Sequence, residues 1–189
     1  MTDGVPLFPL NTVLFPGGRL PLRIFEQRYM DMAKACLKDG SPFGVCLIRE
    51  GAEVGEPAIP AHVGTLARIT TWDMPQLGVL HVIAVGAQRF RIKDRRVEAS
   101  GLSRGQVELL EADQDCAIPA DCARCVTLLA RVIEEQSNLF ESPHQLESAS
   151  WVGSRLAELL PLPLAAKQEL LELSDAATRL ARLNALLGR

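Results

Sequence analysis

Long apolar runs and a surplus of positive charge are both missing from this sequence. No part of its 189 residues comes near the roughly 20 consecutive apolar residues that a membrane-spanning helix needs. The formal net charge of −3 at pH 7 argues against a general binder of nucleic acid or membrane surfaces, because those surfaces attract strongly positive proteins. Residues 1–4 lack the basic region and apolar stretch of a signal peptide. These absences predict a cytoplasmic protein without a membrane or general nucleic-acid partner.

Motifs that mark nucleotide, cofactor and zinc sites are missing as well. The sequence has no G-x-x-x-x-G-K-[ST] phosphate-binding loop and no G-x-G-x-x-G. Its three histidines, His62, His81 and His144, lie far apart and form no H-E-x-x-H zinc motif. An enzyme would need a centre built from distant residues, such as His81 with Cys46 or Asp73, and no spacing supports one. We expect no enzymatic activity, no cofactor and no metal site.

Cysteine is present in an odd number. The five residues Cys36, Cys46, Cys116, Cys122 and Cys125 lie mostly in apolar runs, which favours free thiols in a reducing cytosol over a disulfide framework. Cys122 and Cys125 have the spacing of one helix face, and a structural zinc site would need a second close pair of ligands. We therefore interpret this pair as two small core residues.

The first half of the chain has the pattern of a β-rich region with one early helix. Apolar residues at helical spacing from Ile24 predict an amphipathic helix that Gly40 ends. Prolines and glycines predict a turn at residues 15–18, and a hairpin is expected around residues 86–87. Strands are predicted at 5–10, 43–48, 63–70, 79–85, 88–92 and 107–111.

The second half has helical spacing throughout. Pro161 and Pro163 separate two of the predicted helices, and Ser148 is a candidate N-cap. The predicted helices run from Cys122 to about Leu139, from Ser148 to Pro161, over 164–173 and from Ser174 onward. The sequence thus predicts an α+β fold, with a partly closed β-barrel over residues 1–115 and a helical subdomain packed on it over residues 116–189.

Several motifs resemble the N-terminal, substrate-binding domain of Lon proteases. Residues 6–17 (PLFPLNTVLFPG) and 20–29 (LPLRIFEQRY) are similar to the opening of that domain. Residues 63–69 (VGTLARI) and 86–90 (GAQRF) are similar to two of its later elements, and residues 160–172 resemble its helical tail. The similarity spans nearly the whole chain in the right order.

The resemblance implies a PUA-like β-barrel followed by helices, and a role in recognising unfolded or exposed apolar protein segments. The ATPase and the Ser–Lys protease of Lon have no counterpart in these 189 residues. The resemblance therefore predicts a non-catalytic protein- or peptide-binding module, an adaptor or holdase, with a separate protease or chaperone as a further partner. This functional step is an analogy from fold.

The N-terminal segment supplies the candidate peptide contacts. An apolar loop of this kind would attract extended peptides if it were exposed, whereas most of its side chains are expected to be buried as part of the barrel. The loop tip is the expected exception. The candidate contacts are Phe15, Pro16, Arg19 and Leu22.

A basic strand supports an alternative function. Strand alternation would place Arg89, Arg91, Lys93 and Arg95 on one face, where they could contact the phosphates of RNA or a nucleotide. The competing interpretation is a solvated face paired with acidic neighbours. The negative net charge and the single tyrosine favour that second interpretation.

Overall fold

The computed structural model describes residues 4–136, 139–140 and 142–188. The chain divides into two compact units, Met1–Leu110 and Glu111–Arg189. The first unit is built mainly from strands and the second from helices, which makes the fold α+β. No helix in the described part of the chain is both long and apolar enough to cross a bilayer.

From residue 4 onward, the first unit is a six-stranded sheet with one helix. Its strands follow the order β2-β5-β4-β3-β1-β6, and β6 also pairs with β5, so five strands form a ring of pairings. Strands β1 and β3 are parallel, and the other pairs are antiparallel. The elements are β1 (Val5–Leu10), β2 (Arg19–Ile24), α1 (Gln27–Asp39), β3 (Phe43–Glu50), β4 (Ile59–Gln76), β5 (Val79–Val97) and β6 (Ser103–Leu109).

The barrel is only partly closed, because one edge of β5 pairs with β2 along its first half and with β6 along its second half. Its residues 80–85 pair with β2, and its residues 90–97 pair with β6. In turn, β6 pairs with β1 only through Val5, Pro6 and Leu7. Among the described strands, the second half of β1 and the outer edge of β2 therefore lack a strand partner on one side.

Helix α1 covers the barrel interior with a stripe of apolar side chains. The stripe repeats at helical spacing, and Tyr29 stacks on Phe8 with ring centroids 4.0 Å apart. The ring centroids of Phe8 and Phe43 lie 6.2 Å apart. Gly40 ends the helix in the left-handed conformation (φ 70°), and its N–H donates to the carbonyl of Cys36 at 2.9 Å. The predicted helix and its end are confirmed, although the helix begins at Gln27 rather than at Ile24.

The hairpin predicted around residues 86–87 is wrong. Strand β5 runs through these residues without a break, and the chain reverses at Leu77 and Gly78, where Gly78 has φ 83°. The glycine at position 86 is needed for close packing of the backbone and not for a turn. A Cβ at Gly86 would lie 2.3 Å from the carbonyl oxygen of Phe15, so only glycine permits this close backbone approach.

In its described residues, the second unit contains four helices and a short 3₁₀ turn. Two of these helices have side-chain N-caps. Ser148, before the helix that begins at Ala149, accepts a hydrogen bond from the N–H of Trp151 at 3.0 Å. Asp175, before the helix that begins at Ala176, accepts one from the N–H of Thr178 at 2.8 Å. The predicted extension of the first helix to Leu139 is wrong, since that helix ends at residue 135; residues 137–138 lie outside the described residues. The helices are α2 (Ala123–Glu135), α3 (Ala149–Leu159), α4 (Leu164–Glu172) and α5 (Ala176–Leu187).

A buried arginine fixes the segment that leads into the helices. Arg179 is 1% exposed, forms an ion pair with Asp113 and donates from Nε to the carbonyl of Leu170 at 2.9 Å. Asp115 accepts a further hydrogen bond from Ser148 at 2.7 Å. These contacts join residues 111–115 to the helical unit, whereas the sequence placed the boundary after residue 115.

We expect Arg179→Ala to lower the free energy of unfolding of the helical unit by about 3–5 kcal/mol, because it leaves Asp113 buried without its cation. Arg182 lies on the same helix but is exposed and 3.9 Å from Glu169. Arg182→Ala should therefore change stability by about 0.5 kcal/mol or less. Urea unfolding followed by circular dichroism measures both variants. Equal effects of the two substitutions would contradict this role for the buried pair.

Candidate functional site

A groove lies beside β2, where the barrel is incompletely closed. Its volume is about 330 Å³. One wall is β2 itself, and the opposite wall comes from the second half of β1 and from the loop between β3 and β4. The apolar side chains that line it are Phe8, Leu10, Leu20, Pro21, Leu22, Ile24, Phe25, Tyr29 and Val54.

The exposed apolar side chains at this groove are available to a ligand. Phe25 follows β2 directly and is 54% exposed, and Val54 in the β3–β4 loop is 56% exposed. Leu20 and Leu22 are half-buried on the groove wall. An apolar ligand that covers these side chains would remove their surface from water, which is the main driving force for association.

Hydrogen bonds fix the β3–β4 loop at the rim of the groove. The Oε1 of Glu53 accepts the backbone N–H of Asn11 at 2.6 Å. The buried guanidinium of Arg28 donates to the carbonyl of Gly55 at 2.7 Å and to that of Gly101 at 3.1 Å. The groove wall is therefore held in place before any ligand binds, which lowers the conformational cost of binding.

Of the four predicted peptide contacts, only Leu22 lines the groove. Phe15 is fully buried, so its prediction as a surface contact is wrong. Phe15 is buried because its backbone packs closely against Gly86, which places the turn at residues 15–18 against the barrel. Pro16 is half-buried and Arg19 is exposed at the start of β2, and neither of them lines the groove.

Sequence reasoning missed the contribution of the β3–β4 loop. Glu53 and Val54 lie in a polar segment with no pattern that separates them from other loop residues. Only the tertiary structure brings them beside β2, which ends 29 residues before Glu53 in the chain. Phe25 was recognisable as an apolar residue, but its exposure depends on the strand-to-helix junction between β2 and α1.

The predicted basic face of the strand from 89 to 95 is not continuous. Arg89 is 3% exposed, and Lys93 is paired with Glu108 on β6. A hydrogen bond from Lys93, together with its charge, holds the pKa of Glu108 below its ordinary value. Of this set, Arg91 is an exposed cation that lies opposite the same Glu108. The arrangement is that of a solvated strand paired with an acidic neighbour.

A β-bulge is the reason why the alternation fails. The register of β5 and β6 shifts between Ile92 and Asp94, so Arg95 lies on the opposite face from Arg91. Arg95 donates to the carbonyl of Ala58 at 3.2 Å and to the hydroxyl of Ser103 at 3.1 Å. The guanidinium of Arg95 is therefore hydrogen-bonded within the barrel, and Arg95 cannot form a phosphate-binding row with Arg91.

Three groups that could act as nucleophiles, Cys46, Cys125 and Ser103, are buried. Burial raises the pKa of Cys46 to about 12 and that of Cys125 to about 11, so both thiols are protonated at neutral pH. Residues 101–105 match G-x-S-x-G, a match that sequence reasoning overlooked, but Ser103 is 3% exposed within β6 and hydrogen-bonded to Arg95. Within the described ranges, no three His, Cys, Asp or Glu side chains are grouped to hold a metal ion.

We expect a single cysteine to react quickly with a thiol reagent such as Ellman's reagent. Cys116 is exposed, whereas the other four cysteines are buried. Absorbance should report about one fast equivalent in the folded protein, and five after unfolding. Cys116→Ser should remove the fast phase. A fast reaction at Cys122 or Cys125 would contradict the burial of that pair.

Comparisons with known proteins identify the family. The family model described as the ATP-dependent protease La (LON) substrate-binding domain matches residues 4–189. The Lon protease of Paraburkholderia phytofirmans is 31% identical over 205 aligned residues, which cover 100% of this chain and 25% of that protein. The chain thus spans about a quarter of the length of the curated Lon proteases that it matches.

Solved structures show the same fold. The crystal structure of a Lon N-terminal domain protein from Xanthomonas campestris superimposes with a TM-score of 0.81 at 39% identity, covering 97% of this chain and 98% of that one. The N-terminal domain of the Mycobacterium avium complex Lon protease has a TM-score of 0.62 at 20% identity, covering 96% of both chains, and shows the fold alone. The chain belongs to the family of Lon substrate-binding domains.

Proposed function

We propose that this domain binds exposed apolar segments of protein substrates in the groove beside β2. The observation that carries the proposal is the partly closed barrel, which leaves an apolar groove of about 330 Å³ with Phe25 and Val54 exposed beside it. Grooves of this size, with mostly apolar walls and a few polar groups, are typical binding sites. The substrate-binding role of the family supports the same function.

We further propose that the domain acts as an adaptor or holdase and does not itself catalyse a reaction. The burial and protonation of Cys46 and Cys125 support this, because a catalytic thiol must be accessible and ionised, and the exposed Cys116 does not line the groove. The proposed partners are unfolded or partly folded protein segments, and a protease or chaperone that processes the segments once they are held. The relatives with similar sequences include Lon proteases, which supports a proteolytic partner.

We expect Phe25→Ser to weaken the binding of a labelled peptide rich in phenylalanine and leucine by about tenfold, since it removes roughly 1–2 kcal/mol of apolar contact. Fluorescence anisotropy measures this binding at low and high salt, and affinity should persist at high salt because apolar burial is not screened. Folding should be little affected, since Phe25 is 54% exposed.

Leu77→Ser is the matched control. Leu77 is 93% exposed on the turn between β4 and β5 and does not line the groove. This variant should bind the peptide as the unmodified chain does. Equal losses in both variants, or no loss in either, would move the site away from the groove, and no peptide binding at all would refute the proposed function.

A further inference from the structure

Strand β2 directs the backbone groups of alternate residues away from β5. The N–H of Gly86 donates to the carbonyl of Gly18 at 2.8 Å, which sets the phase of the antiparallel ladder that continues with Leu22 opposite Val82. Even-numbered residues of β2 therefore bond to β5, and odd-numbered residues point their N–H and C=O groups outward. Pro21 lies on this outward side, where its missing N–H costs the ladder nothing.

The side chains of β2 follow the same period of two. Arg19, Pro21 and Arg23 are exposed on the outer face, whereas Leu22 is half-buried and Ile24 is buried on the face toward the core. A further strand placed against β2 would have one row of side chains beside the arginines and the alternate row beside the leucines.

We infer that the groove takes its substrate as an added strand along the outer edge of β2, and that it selects extended segments in which acidic and apolar residues alternate. The inference rests on the proposed function and specifies the substrate class. Main-chain hydrogen bonds to the outward carbonyl of Pro21 and to the outward N–H and carbonyl of Arg23 would supply affinity independent of sequence, and the two rows of side chains would supply selectivity.

The charge of Arg23 is available to such a segment. Arg23 is exposed, and within the part of the chain that the structure describes it makes no ion pair. Its neighbour across the strands is His81, which does not neutralise it. The carboxylates that line the groove have other partners, since Glu26 is paired with Arg28, and Glu53 accepts a backbone N–H.

The same features disfavour a second copy of this chain as the occupant. A two-fold pairing of β2 with itself about Pro21 would place Arg19 opposite Arg23 of the second copy. Like charges directly opposite each other destabilise a sheet. The edge is therefore suited to a partner strand of opposite charge.

A backbone methylation series tests the strand addition. The probe is a fluorescein-labelled peptide of alternating leucine and glutamate, measured by anisotropy with the full chain. Methylation of the alternate amides that face β2 should weaken binding by about tenfold or more, because it removes a hydrogen bond and adds bulk. Methylation of the intervening amides should change affinity by less than about two-fold. A peptide that binds with equal sensitivity, or none, at every amide would overturn strand addition and leave the proposed function intact.

A charge exchange tests the selectivity. The unmodified chain should bind the glutamate peptide about two- to five-fold more tightly than its lysine counterpart, and Arg23→Glu should reverse that preference. Arg131→Glu, an exposed site in the second unit, makes the same change in net charge and should leave the preference unchanged. A preference that is unaffected by Arg23→Glu, or altered equally by both variants, would overturn the acidic selectivity. Thermal unfolding of Arg23→Glu checks that the fold is retained.

Discussion

The hydrogen-bonding edge of β5 is the constraint on which the first unit depends. Along one edge this strand pairs first with β2 and then with β6, so neither partner covers its full length. The ring of five strands closes through β6, while β2 stays outside it. Because β6 covers only the first residues of β1, the barrel wall has an opening where β1 and β2 would otherwise need another strand. The groove is a consequence of this pairing pattern.

The opening does not collapse, because other contacts hold its borders. Helix α1 fills the interior with its apolar stripe, and the stacking of Tyr29 on Phe8 joins the helix to β1. Arg28, the adjacent residue of that helix, lies over the Tyr29 ring and hydrogen-bonds two loops through their carbonyls. The same helical turn thus contributes to the core and fixes the groove rim. A preformed groove needs little reorganisation when an extended segment enters it.

The arginines of the two units differ in whether their charge is bound within the fold or exposed to solvent. Arg95 is drawn into the barrel by a bulge and Arg179 is buried in an ion pair with Asp113, so both stabilise structure. Arg23 stands on an exposed edge without such a partner in the described residues. Sequence alone does not separate Arg95 from Arg23, because a strand pattern shows which residues alternate but not where a bulge changes the alternation.

Local physics in the sequence determined the class of the fold, the amphipathic helix, the capping residue Ser148 and the family motifs, since each depends on neighbours within a few residues. Tertiary structure decided which apolar residues stay exposed. Phe15 and Phe25 are similar in the sequence, yet Phe15 is buried by the backbone approach at Gly86 while Phe25 projects beside the groove. The loop residue Val54 lies beside the same groove as Phe25 only because the tertiary fold brings these distant parts of the chain together. Exposure and strand pairing are properties of the assembled barrel, and no local pattern of residues encodes them.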